Sequence, residues 1–72
     1  MRMVKKMRDG SFAHYTMSCT LLWDKDGLYA GQSQPNMLDD EGPGTFHFKA
    51  EGDEAERFRL TEAEMLAAAS NV

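Results

Sequence analysis

The chain has 72 residues, a formal net charge of −4, 42% hydrophobic and 28% charged residues, and one cysteine. This composition is that of a folded globule and excludes global disorder. The lone Cys19 rules out an internal disulfide, and Cys19 with His14 and His47 is too small a set for a four-ligand zinc site. The longest apolar run, residues 65–69, falls far short of the roughly 20 residues a membrane helix needs.

Residues 1–72 are expected to form a single small domain. Such a chain buries only about 60% of the surface its unfolded form exposes, so its core is compact and its stability modest. With neither a disulfide nor a metal or cofactor indicated, extra stability is expected from another chain, whether a second copy or a larger partner. No small molecule is indicated either. The basic start, "MRMVKKMR", is succeeded by the polar "DGSFAHYTMSC" and not by the apolar stretch of a signal peptide. A cytoplasmic protein with a reduced thiol is the expectation.

Residues 1–8 carry Arg2, Lys5, Lys6 and Arg8 and read as a basic strand or arm. Met1, Met3 and Met7 fit one apolar side, which Lys5 interrupts. The Asp-Gly in "RDGS" is a hairpin-turn signal that would fold this segment back as a strand against residues 12–17. Residues 12–23, "FAHYTMSCTLLW", alternate with period two: Tyr15, Met17, Cys19, Leu21 and Trp23 face one way, His14, Thr16, Ser18 and Thr20 the other. That alternation, rich in threonine and aromatics, predicts one half-buried strand.

A corner comes next at "DKDG", residues 24–27. Asp24 is placed to bond the turn backbone, and Gly27 supplies the positive φ of a three-residue hairpin loop with a glycine bulge. This register sets Trp23 opposite Tyr29 and Leu21 opposite Gly31. A calcium loop starting at Asp24 fails, because Leu28, Tyr29 and Pro35 stand where an acid, a glycine and a glutamate are required. Residues 33–44, with two prolines and two glycines, read as a long loop in which Met37 and Leu38 either plug the fold or are offered to a partner.

"TFHFKA" and "AERFRL", at 45–50 and 55–60, alternate again and predict a second hairpin with an odd-numbered loop, which lets Phe46 and Phe48 share a face with Phe58 and Leu60. The other face would then carry a basic stripe of His47, Lys49, Arg57 and Arg59. The chain closes with a helix. Thr61 and Glu64 make a capping box, Leu60 and Met65 occupy the staple positions, and "EAEMLAAAS" is built from strong helix formers.

These elements predict an α+β fold: a small antiparallel sheet of four to five strands, a meander of hairpins, with one short C-terminal helix. A partly open barrel is the alternative closure. No constellation points to catalysis. His14 and Cys19, on one strand at odd spacing, would face opposite ways, and the acid pairs Asp39–Asp40 and Glu62 with Glu64 lie where solvation is expected. A non-catalytic interaction module is therefore expected, self-associating or acting as an adaptor or inhibitor of a larger protein. Candidate contact residues are His47, Lys49, Arg57, Arg59, Met37 and Leu38. The alternative is nucleic-acid binding through the basic stripe on the 45–60 hairpin, against which the net negative charge stands.

Overall fold

The computed structural model describes residues 3–34 and 46–70. Five antiparallel strands form one open sheet in the order of the chain, β1-β2-β3-β4-β5. They are β1 (Lys5–Lys6), β2 (Phe12–Tyr15), β3 (Thr20–Trp23), β4 (Tyr29–Ser33) and β5 (Phe46–Lys49), after which come helices α1 (Asp53–Arg57) and α2 (Glu62–Ser70). The α+β meander with a short C-terminal helix is thus present, and the sheet is open, not closed into a barrel.

The corner between β3 and β4 is built as its residues require. Asp24 Oδ1 accepts from the backbone N–H groups of Asp26 at 2.8 Å and Leu28 at 2.9 Å. Gly27 has φ +82°, and its carbonyl accepts from Leu60 N at 2.9 Å, so this corner also anchors the chain entering α2. Trp23 pairs with Tyr29 as the turn predicts. Their rings lie 5.6 Å apart and tilted by 54°, an arrangement worth about 0.5–1 kcal/mol. Beyond this pair the register departs from expectation: Leu22, not Leu21, faces Gly31, because Ala30 is an extra residue in β4.

Residues 12–23 are not one strand. They are a hairpin, β2 and β3, closed by a four-residue turn at Thr16–Cys19. The Thr16 hydroxyl makes the turn, donating to the Cys19 carbonyl at 2.7 Å and accepting from Cys19 N at 3.0 Å. Threonine does here what glycine or asparagine usually does, by bonding its own backbone. The even loop reverses the side-chain phase. Phe12 and Trp23 are partners and share one face, while Tyr15 falls on the other face from Leu21 and Trp23. Met17, at the tip, is 99% exposed and not part of an apolar stripe.

The predicted strand at 55–60 is also overturned. Residues 53–57 form α1, with Ala55 buried and Phe58 at its C-terminal boundary. Glu54, Ala55, Glu56 and Arg57 are all good helix formers, and the apparent alternation comes from residues on either side of the helix end. The second hairpin does not exist; Phe48 and Phe58 still come to one surface, but from β5 and the end of α1 and not from paired strands.

Both helices serve one face of the sheet. Phe12, Trp23, Tyr29, Ala50, Leu60 and Ala68 form the main core, with Val4, Leu21 and Met65 packed against it. Met7, Ala13 and Leu22, with Tyr15 and Ala30, form a smaller cluster on the opposite face. The N-terminal segment does return as a strand, through Gly10 at φ +94°. Its inward residues are Val4 and Met7, whereas Met3 is exposed and Met1 lies outside the described residues. The capping box is formed as predicted, Thr61 N donating to Glu64 Oε1 at 2.8 Å and Glu64 N to Thr61 Oγ1 at 3.1 Å. Leu60 is buried and Met65 packs on the same core, which completes the staple. Among the described residues no helix is long and apolar enough to cross a membrane.

Candidate functional site

Where the helix-side face of the sheet runs out past α1, it leaves a cavity of about 310 Å³ lined by Leu21, Trp23, Tyr29, Gln32, Phe48, Glu54 and Phe58. Its volume is at the small end of ligand pockets, about 300–1,000 Å³. Three local features place the lining. The Trp23–Tyr29 pair across β3 and β4 forms the floor. Gln32 and Phe48, partners across β4 and β5, form one wall. Helix α1 and its boundary residue bring Glu54 and Phe58 over as the other wall.

The floor is rigid. Trp23 is 1% exposed, and its Nε1 donates to the Phe58 carbonyl at 2.9 Å, tying β3 to the end of α1 across the core. Tyr29 meets Phe58 edge-on at 5.8 Å. The rim is open: Phe48 and Phe58 are 40% and 44% exposed. Large apolar side chains exposed side by side at a concave surface mark a binding region more often than scattered ones do. Burial pushes the Tyr29 phenol above its ordinary value of 10.0; a hydrogen bond with Gln32 works against that rise, and negative charge at Cys19 and Glu54 adds to it.

Gly31 makes this geometry possible. It has φ +134°, and a Cβ there would lie 2.1 Å from the Phe48 carbonyl oxygen. Only glycine lets β5 lie close enough to β4 for Phe48 to wall the cavity.

The predicted basic stripe is not assembled. His47 and Lys49 are exposed on β5, His47 as an extra residue where the register slips between Gln32 and Ser33. Arg57 is on α1, its guanidinium 5.1 Å from the centre of the Phe58 ring. Arg59 lies just past α1 and is fastened elsewhere: it pairs with Glu56 at 3.0 Å and donates to the Asp26 carbonyl at 3.0 Å, bracing the β3–β4 corner. Glu56 accordingly holds its carboxyl below the usual range, the hydrogen bond to Arg59 being the main cause. Met37 and Leu38, with most of the 33–44 loop, lie outside the described residues.

Among the described residues of the predicted contact set, Arg57 lies over an aromatic that lines the cavity. The cavity itself escapes a reading of the sequence because its walls come from segments whose alternation misleads. A signal is nonetheless there: Phe48 and Phe58 are large apolar residues flanked by charge, in segments otherwise polar.

Possible reactive groups are separately engaged. His14 Nδ1 donates to the Met3 carbonyl at 2.8 Å, and Cys19 Sγ lies 3.5 Å from the Thr16 hydroxyl. Among the described residues no group of three His, Cys, Asp or Glu side chains gathers to hold a metal. What the site offers is an aromatic surface with one carboxylate, an arrangement suited to binding. No family model matches the chain, and no curated protein or solved structure matches it.

Proposed function

We propose that this protein is a small, non-catalytic interaction module, working in the cytoplasm, that receives a segment of a partner polypeptide in the aromatic groove beside β5. The observation that carries this reading is the exposure of Phe48 and Phe58 at the mouth of a preformed cavity whose floor is fixed by Trp23 and Tyr29. β5 adds a second feature. It ends the sheet order, and all four of its residues are exposed. An edge strand next to a side-chain cavity is the arrangement used when an extended peptide adds to a sheet: backbone pairing supplies affinity and the cavity selects a side chain. The partner is a larger protein in an adaptor or inhibitor role, or a second copy in self-association.

Selection of displayed random peptides on the wild-type chain, counter-selected on Phe48→Ser, tests the reading. Peptides that bind the wild type and not the variant are expected, and equal enrichment on both would overturn it. Sedimentation at two concentrations asks separately whether the partner is a second copy.

One observation favours the alternative of nucleic-acid binding: Arg57 lies over Phe58, so a cation and an exposed ring stand together as they do on single-strand-binding surfaces. Phosphate contacts would make binding to a labelled oligonucleotide weaken steeply as salt rises.

A further inference from the structure

We infer that the groove recognises a methylated lysine, its alkylated ammonium head seated against the exposed rings of Phe48 and Phe58 over the Trp23–Tyr29 floor, with Glu54 as counter-charge. The inference deepens the proposed function and rests on the groove being a polypeptide-binding surface.

Four aromatic side chains converge on one cavity, three of them linked by ring contacts, from Trp23 to Tyr29 at 5.6 Å and from Tyr29 to Phe58 at 5.8 Å. Ring faces carry the negative part of the aromatic quadrupole, so the exposed Phe48 and Phe58 rings at the mouth attract a cation. Phe58 shows this property within the molecule itself, since it already carries the Arg57 guanidinium 5.1 Å from its centroid.

The carboxylate gives the sign of the ligand. Glu54 lines the cavity and makes no ion pair among the described residues. It belongs to the acidic run Glu51, Asp53, Glu54 and Glu56, of which Glu56 is the member taken up by Arg59. A neutral apolar side chain would leave Glu54 without a counter-charge beside it, whereas a cation meets it.

Solvation separates the kinds of cation. A primary ammonium is strongly hydrated and needs acceptors for three N–H groups. The polar side chains that line the cavity are the Glu54 carboxylate, the Gln32 amide and the Tyr29 phenol, the last two bonded to each other, which leaves too few free acceptors for three N–H groups. A methylated ammonium keeps its charge, sheds water more readily and packs its methyl groups on the rings. The source is a lysine side chain because the cavity opens beside the exposed edge strand β5. A segment paired along β5 would present alternate side chains to the face that Phe48 occupies.

The test uses the full chain and three peptides of one sequence. One carries trimethyl-lysine, one a neutral tert-butyl isostere of the same shape, and one unmodified lysine. The chain has one tryptophan, so Trp23 fluorescence and its indole N–H resonance report the cavity directly. The trimethyl-lysine peptide is expected to bind roughly 3- to 30-fold more tightly than the isostere, the range of cation–aromatic attraction between exposed and desolvated sites. Glu54→Gln should shrink that preference without weakening the isostere, a readout that a merely structural role for Glu54 would not give. Phe58→Leu should weaken the trimethyl-lysine peptide most. Equal or tighter binding of the isostere overturns the inference, as does failure of all three peptides to shift the Trp23 resonance at their solubility limit. The first result leaves peptide docking intact. If selection also yields no peptide sensitive to Phe48→Ser, the proposed function falls independently.

Discussion

Gly31→Ala should detach β5 from the sheet, and Gly52→Ala provides an internal comparison. Both glycines have positive φ, +134° at Gly31 and +57° at Gly52, so alanine is strained at either; the conformational cost is about 1–3 kcal/mol in each case. The surroundings differ. A Cβ at Gly52 meets nothing within 4 Å, whereas at Gly31 it would sit 2.1 Å from the Phe48 carbonyl oxygen and 2.9 Å from Lys49 Cα. These are backbone atoms, so no rotamer relieves the clash. Overpacking of this kind adds about 1–3 kcal/mol if the strands part slightly. The total, about 2–6 kcal/mol, is large against the roughly 4–11 kcal/mol that a chain of this length has available. Urea denaturation monitored by Trp23 fluorescence gives both values. Amide exchange at Gln32 and Phe48, the pair that walls the cavity, should quicken in Gly31→Ala and not in Gly52→Ala. Equal stability of the two variants would refute the close-approach reasoning, because strain alone would then account for both.

Thr20 carries a buried hydroxyl with no hydrogen-bond partner among the described residues, and the residue is 2% exposed. Thr20→Val keeps the shape and removes the unsatisfied group, so it should raise stability, by about 1 kcal/mol or more, in the same urea assay; a loss of stability would mean the hydroxyl has a partner. The Tyr29 phenol is raised above 10.0 chiefly by burial. The folded state then holds this proton more tightly than the unfolded state does, so the associated stability is complete below about pH 10 and is lost as pH rises through the folded value. Tyr29→Phe should abolish that part of the alkaline loss; melting temperatures of both proteins measured from about pH 8 to 11.5 check it, and parallel curves would contradict it.

Much of the fold is legible in the sequence because it is set by short-range chemistry. The corner at Asp24–Gly27 comes from an aspartate that bonds its own turn and a glycine at φ +82°, both local properties. The capping box of Thr61 and Glu64 is likewise complete within four residues. Two errors have one cause. Period-two alternation persists through a tight four-residue turn, so Thr16–Cys19, with no glycine or proline, leaves residues 12–23 looking continuous. The same pattern arises by accident where a five-residue helix ends in Phe58, Arg59 and Leu60.

The sequence by itself determined the turns at Asp9–Gly10 and Asp24–Gly27, where the last helix begins and that the sheet is antiparallel, because each depends on residues within a few positions of one another. The tertiary structure decided which side chains meet. Trp23 reaches the Phe58 carbonyl across 35 positions, Arg59 reaches Asp26 across 33, and Gly31 admits β5 by its lack of a Cβ. The aromatic groove is a product of those long-range contacts. No local pattern encodes it, since its rings come from β3, β4, β5 and the end of α1, and only burial of a shared core brings them together.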